Sequence, residues 1–282
     1  MTEDPENQQD NMKTAIQEVI QELMERVLQK VRFDDPFDKE THRARRPLYA
    51  ALVPDEIFKG SHFERRFVTP FGGVWEKLAA VAANKGVGYG VTGYTITGNI
   101  KAGQLRRITQ TLNLLEHPPK GQSRVKPDWD KEMAYIRKGK GEPIPVIVVC
   151  DVYVEDQKNN RKYAFELKSP FPNSDITKVS KEKVLKLHCM DPSQVDEAYF
   201  ALPYNPYGTR EKYDWSFPSR WFDMKNDKVV LMGNEFWEKV GGIGTYTAFI
   251  EAVNEIGREY KEIIYREYLG IEPPPGAFDV EL

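Results

Sequence analysis

Residues 162–170 read "KYAFELKSP". Side chains on an extended chain alternate between two faces. Glu166 and Lys168 therefore share one face, while Phe165 and Leu167 share the other. What that charged pair means depends on the strand before it, "PVIVVCDVYVED", residues 145–156. Gln157–Asn160, "QKNN", has turn composition. A four-residue loop pairs 156 with 161, 154 with 163 and 151 with 166. One face then receives Val152, Val154, Tyr163, Phe165 and Leu167, all suited to a core. The other receives Asp151, Tyr153, Glu155, Lys162, Ala164, Glu166 and Lys168. A slip of one residue would exchange the two sets, so the separation supports this register.

That register sets Asp151 opposite Glu166. Two carboxylates facing across a ladder repel, and Asp151 ends the run "VIVVC", apolar enough for a strand buried on both faces. An uncompensated acid there is costly. A divalent cation taking an oxygen from each acid removes the conflict, and magnesium favours few carboxylates with retained waters and phosphate oxygens. Lys168 lies on the same face, within reach of an attacking water or a phosphate. The expectation is an oxygen-ligated Mg2+ site with Asp151 and Glu166 as ligands.

The remainder of the 282 residues agrees with an ordinary globular protein, 40% hydrophobic and 29% charged, which is enough apolar material for a sizeable core. No apolar run is long enough for a transmembrane helix. The acidic start "MTEDPENQQD" is unlike a signal peptide. Cys150 and Cys189 form no CxxC pair and the four histidines are scattered, which argues against a disulfide framework or a zinc ribbon. A reducing cytoplasm is expected. The net charge of −3 carries no global signal for nucleic acid, but basic residues cluster in "THRARRP", "RKGKG" and "KVSKEKVLKLH".

Residues 1–11 read as a disordered tail and residues 12–282 as one domain: an N-terminal helical part to residue 60, a catalytic core over 61–200 and a C-terminal part from 201. Apolar residues at three- and four-residue steps predict helices over 12–31, 73–84, 101–116 and 177–188, with a long terminal helix from 244. "FDDPFDKETHRARRP" reads as a linker, "HPPKGQSRVKPDWD" as a loop, and Asn234 as the N-cap of a helix. "KGVGYGVTGYTITGN", residues 85–99, reads as a turn plus strand, and "EAYFALPY" and "NDKVVLMG" supply further strands. Strands interspersed with helices indicate an α/β fold.

Asp151, fourteen intervening residues and then Glu166-Leu167-Lys168 resemble the D…(D/E)xK signature of the PD-(D/E)XK nuclease superfamily. "ALVPDEIFKGSHFERRFVT", "TITGN", "FELKSPFPNSD", "YNPYG" and "EFWEKVGG" extend the likeness to the type II restriction endonuclease family typified by TdeIII and MjaII. Cys150 stands where the signature has proline. The nearest literal Pro-Asp, Pro127-Asp128, is too far from Glu166 for a hairpin partner, which leaves Asp128 as runner-up. The resemblance implies a mixed central β-sheet flanked by helices, with helical additions at both ends. It also implies a Mg2+-dependent homodimer that cleaves double-stranded DNA at a short palindromic, G·C-rich site, GGNCC being the expectation. A cognate DNA methyltransferase would accompany it. By position Asp151 and Glu166 are the metal ligands and Lys168 the catalytic lysine. A structure-specific or repair nuclease of the same fold, and a non-catalytic DNA-binding module, are the alternatives.

Glu76 is the candidate for an upstream acid brought to the metal from a helix. Lys181 and Lys183, on the helix after the catalytic strand, are candidates for phosphate contacts. Ser169, Asn173 and Ser174, in the loop after Lys168, offer hydrogen-bonding groups to DNA. Arg210, Lys212 and Arg220 lie among aromatics and suit contacts to guanine or phosphate.

Overall fold

The computed structural model describes residues 5–118, 121 and 123–279. The chain forms two compact units, Met1–Leu78 with Thr247–Leu282, and Ala79–Tyr246. The expected partition at residues 60 and 200 is not the one drawn by this packing.

The first unit is helical. Helix α1 (Pro5–Gln29) buries Ile16, Val19, Ile20, Leu23 and Val27, the periodic stripe seen in the sequence. It begins earlier than that stripe, so the expected disordered tail is helical from Pro5; residues 1–4 lie outside the described residues. The expected linker contains two short helices, α2 (Lys39–Arg45) and α3 (Pro47–Leu52). Asp38 caps α2 by accepting from the Thr41 amide, and Pro47 opens α3, where a missing N–H costs nothing. Helix α4 (Asp55–Gly86) passes from this unit into the second and carries Pro70 inside it. Helix α9 (Thr245–Ile263) also belongs mainly to this unit, where Lys13 and Gln17 of α1 hold its Glu255.

The second unit is built on five strands in chain order: β1 (Gly88–Lys101), β2 (Pro143–Asp156), β3 (Arg161–Leu167), β4 (Glu197–Leu202) and β5 (Val230–Met232). The pairs β1–β2 and β2–β3 are antiparallel, while β3–β4 and β4–β5 are parallel. The parallel β3–β4 step uses a crossover helix, α7 (Ser174–Leu187). The mixed sheet flanked by helices is as expected. So is the hairpin register, with Asp156 opposite Arg161 and Val154 opposite Tyr163.

Next to Asp151 the hairpin is buried on both faces, as the apolar run before it predicts: Tyr153, Ala164 and Glu166 are buried along with Val152, Val154 and Phe165, while Arg161 and Lys162 at the turn end are exposed. On the Glu166 side lies a core of Val148, Cys150, Tyr153, Ala164, Val184, Phe200 and Phe222, to which α5 (Ala102–Glu116), α6 (Trp129–Arg137) and α7 contribute. On the other side Phe165 stacks on Tyr199 at 5.5 Å and meets Phe236 of α8 (Asn234–Gly241) edge-on at 5.6 Å. Helix α6 occupies part of the expected loop. Gly233, with φ of 53°, precedes α8 as its N-cap, so Asn234 is the first helical residue and not the cap.

Candidate active site

The β2–β3 hairpin delivers Asp151, Glu166 and Lys168 to one place by local pairing. The ladder opens at Asp151 on both sides. Toward β1 the register passes from Thr92–Val152 to Tyr94–Cys150, leaving out Gly93, whose φ of 62° lies in the left-handed region. Toward β3 the pairing ends at Val152–Phe165, one step before Glu166. In place of the lost ladder bond, the Leu167 amide donates to the Asp151 carboxylate at 2.8 Å. The same oxygen accepts from Lys168 Nζ at 2.5 Å, and that ammonium lies 3.8 Å from Glu166. The Lys168 amide is tied to the Ala201 carbonyl of β4, which fixes where its side chain starts.

Glu166 is 1% exposed and receives Lys183 Nζ at 2.8 Å and 3.1 Å on its two oxygens. Burial pushes its carboxyl up to about 7. The negative charge of Asp151 adds to the rise, and Lys183 and Lys168 oppose it. Cys150, fully buried in place of the signature proline, has its thiol pushed up to about 12 by burial and then by Glu166, and is no nucleophile. Glu166, Lys168 and Lys183 line a cavity of about 310 Å³ together with Asp175, Ile176, Val179 and Ser180 of α7.

The donors suit a hard divalent cation. Two carboxylates converge with their repulsion incompletely relieved by lysines, and the Ser180 hydroxyl, buried on the cavity wall, has no partner. Among the described residues no group of three acidic, histidine or cysteine side chains forms a complete cage. Incomplete protein coordination is the manner in which magnesium is commonly held. Asp151 and Glu166 are the residues that could hold it.

The other candidates divide. Lys183 is in the site, salt-bridged to Glu166, where a phosphate contact from a solvated helix face was expected. Lys181 is corrected outright: it is fully buried, 2.5 Å from Glu132, with Phe222 and Trp129 rings 4.6 and 5.0 Å from its ammonium. Burial lowers the Lys181 pKa and raises that of Glu132. A group with no exposed surface cannot grip DNA. Arg210 is likewise engaged, on Glu235 and on the carbonyls of Met224, Asp227 and Val230. Ser174 accepts from Trp221 at 3.1 Å and from Arg220 at 3.4 Å. Asn173 caps α7 by accepting from the Ile176 amide at 2.9 Å. Ser169 and Lys212 are exposed. Asp128 is the N-cap of α6, paired with Lys131, and is thereby explained without a metal. Glu76 is half-buried on α4, in the first unit.

Sequence reasoning missed the Lys181–Glu132 pair and the place of Lys183. The signal for Lys181 was present: with Thr177 and Val184 it falls on the buried stripe of α7. For Lys183 no spacing marks a partner on a neighbouring strand.

Three curated relatives from Herpetosiphon aurantiacus are similar over most of their length. The type II restriction enzymes HgiEI and HgiBI are each 26% identical over 222 residues, covering 75% of this chain and 77% of theirs. The type II restriction enzyme HgiCII is 25% identical over 228 residues, 79% of this chain and 82% of its own. A family model described as type II restriction endonuclease, HinfI, matches residues 12–257. That match spans the hairpin, the cavity and most of both units, and on it the chain belongs to the HinfI family of type II restriction endonucleases.

Proposed function

We propose that the chain cleaves double-stranded DNA at a short palindromic, G·C-rich site of the GGNCC kind, by Mg2+-dependent hydrolysis of one phosphodiester in each strand. The observation that carries this reading is the meeting of Asp151, Glu166 and Lys168, the last two lining an open cavity, in a chain of this family. Bound at Asp151 and Glu166, a divalent ion supplies activation of water and relief of the charge that grows on the phosphate. Asp151 holds the Lys168 ammonium by a charge-assisted bond and aims it. Lys168 orients the attacking water or steadies the scissile phosphate. Lys183 balances Glu166, the more deeply buried acid, while no substrate is present. Glu76 remains the proposed upstream acid. Ser169 and Lys212, both exposed, remain proposed DNA contacts, with Arg220 as a half-buried one.

A palindromic target is most simply met by two-fold protein symmetry. The enzyme would accordingly act as a homodimer, in the cytoplasm, with a cognate methyltransferase protecting host DNA. Among the described residues no helix is long and apolar enough to cross a membrane.

Incubating unmethylated plasmid DNA with the protein, in Mg2+ and separately in EDTA, tests the reading. Discrete fragments that require Mg2+ are expected, and sequencing their ends gives the site. A smear would favour a structure-directed or nonspecific nuclease, and intact DNA in both would favour a binding module.

A further inference from the structure

The helical first unit holds a cleft of about 360 Å³ that shares no lining residue with the catalytic cavity. Its walls come from residues 35–38, α2, Arg46 just before α3, and the first half of α4. The floor is aromatic: the His42 ring lies 4.2 Å from Phe58 and 5.5 Å from Phe37. His42 Nε2 is buried there without a partner.

The charge on this cleft is uneven. Its two acids are already engaged. Asp35 takes Arg66 Nε at 2.7 Å, and that guanidinium holds its carboxyl below the usual range. Asp38 is occupied at 2.8 Å by the Thr41 amide. Arg45, Arg46 and Arg65 are exposed, line the same cleft, and have no acidic partner among the described residues. Nearby Arg43 contrasts with them, being spent on Asp55.

Against the one lining carboxylate not paired with a cation, Asp38, these three guanidinia leave the depression net positive, which favours an anion. Their planar forks match phosphate oxygens two at a time. A free phosphate brings only about two charges, whereas duplex DNA presents about one every 1.7 Å of its axis. Exposed arginines on a rim are also poor at enclosing a small ion and well suited to a continuous polyanion.

We propose that Arg45, Arg46 and Arg65 grip backbone phosphates of duplex DNA in this cleft, adding affinity without reading sequence. The proposal rests on duplex DNA being the substrate. Phosphate contacts of this kind set affinity and position, while base contacts set specificity.

The test measures duplex binding by fluorescence anisotropy across a salt series in EDTA, for wild type and for the triple variant Arg45→Ala/Arg46→Ala/Arg65→Ala. One duplex carries the cleavage site and one does not. Each lost contact should flatten the slope of log K against log salt by about 0.9, so the triple variant should lose about 2–3 units. Affinity for both duplexes should fall by the same factor. The triple lysine variant should recover much of the slope. Circular dichroism and thermal melting check that the alanine variant folds; if it does not, the lysine variant and the three single alanines, about 0.9 in slope each, decide the question.

An unchanged slope in a folded variant would overturn the proposal. So would a loss confined to the site-bearing duplex, or a wild-type thermal shift by inorganic phosphate that the variant loses without any change in DNA slope. If wild type itself neither binds nor cuts duplex DNA, it is the functional reading that has failed.

Discussion

Glu166 is a buried acid that is shielded by lysines and still resists ionisation. With its folded pKa raised to about 7 from the ordinary 4.5, the folded state holds a proton that the unfolded state releases across that window. The contribution of Glu166 to the stability of the metal-free protein is therefore fully present below about pH 4.5 and is lost as pH rises through about 7, by about 3 kcal/mol in all. Urea denaturation in EDTA at about pH 5 and about pH 8 should show this for wild type and much less of it for Glu166→Gln. Lys168→Ala should slow cleavage by at least about 100-fold while leaving duplex binding intact; full activity in a cleavage assay would remove Lys168 from the chemistry. Lys181→Met leaves Glu132 buried and uncompensated, and should cost about 3–5 kcal/mol in chemical denaturation, part of it recovered by adding Glu132→Leu. The triplet Asp151, Glu166 and Lys168 was legible in the sequence because strand alternation and one turn length bring them together with no distant information. Lys181 and Arg210 were misread for the opposite reason: their partners, Glu132 and the carbonyls near Val230, are remote in sequence, and a positive charge in a string of letters looks solvated.

Among the elements, the opening of the ladder at Asp151 depends on Gly93. A side chain there has open space, so the penalty is one of backbone conformation alone. Gly93→Ala should cost roughly 1–2 kcal/mol in thermal or chemical melting, and should lower cleavage more than a matched Gly60→Ala, a helical glycine that also has free space. The long periodic helices and the hairpin were readable, since each repeats one pattern over many residues. Helices α2, α3 and α6 were not, because a short helix in a proline- and charge-rich stretch is decided by a cap such as Asp38 or Asp128 and by its packing. Burial on both faces was hinted by the apolar run before Asp151, but not its source: Tyr153 and Ala164 share a core with residues of α5, α6 and α7, which lie well outside the hairpin's own letters.

At the scale of the molecule, the fold class and the family were accessible from the sequence, while the division into two units was not, since α4 passes through the boundary with no break in helical pattern. The strand order β1-β2-β3-β4-β5 has a practical consequence. All three residues of the triplet precede α7, and the exposed connection at Asp191–Ser193 leads on to β4. A chain divided there would leave one piece with both acids and a Lys168 whose amide has lost the Ala201 carbonyl, and another with β4 and β5 but no chemistry. Neither piece alone should cut a plasmid; mixed, they should regain cutting as parallel pairing between β3 and β4 is restored, with an initial rate set by the scarcer piece. The sheet's sequential order thus marks where this nuclease can be made into a two-key device, silent until both keys share a tube.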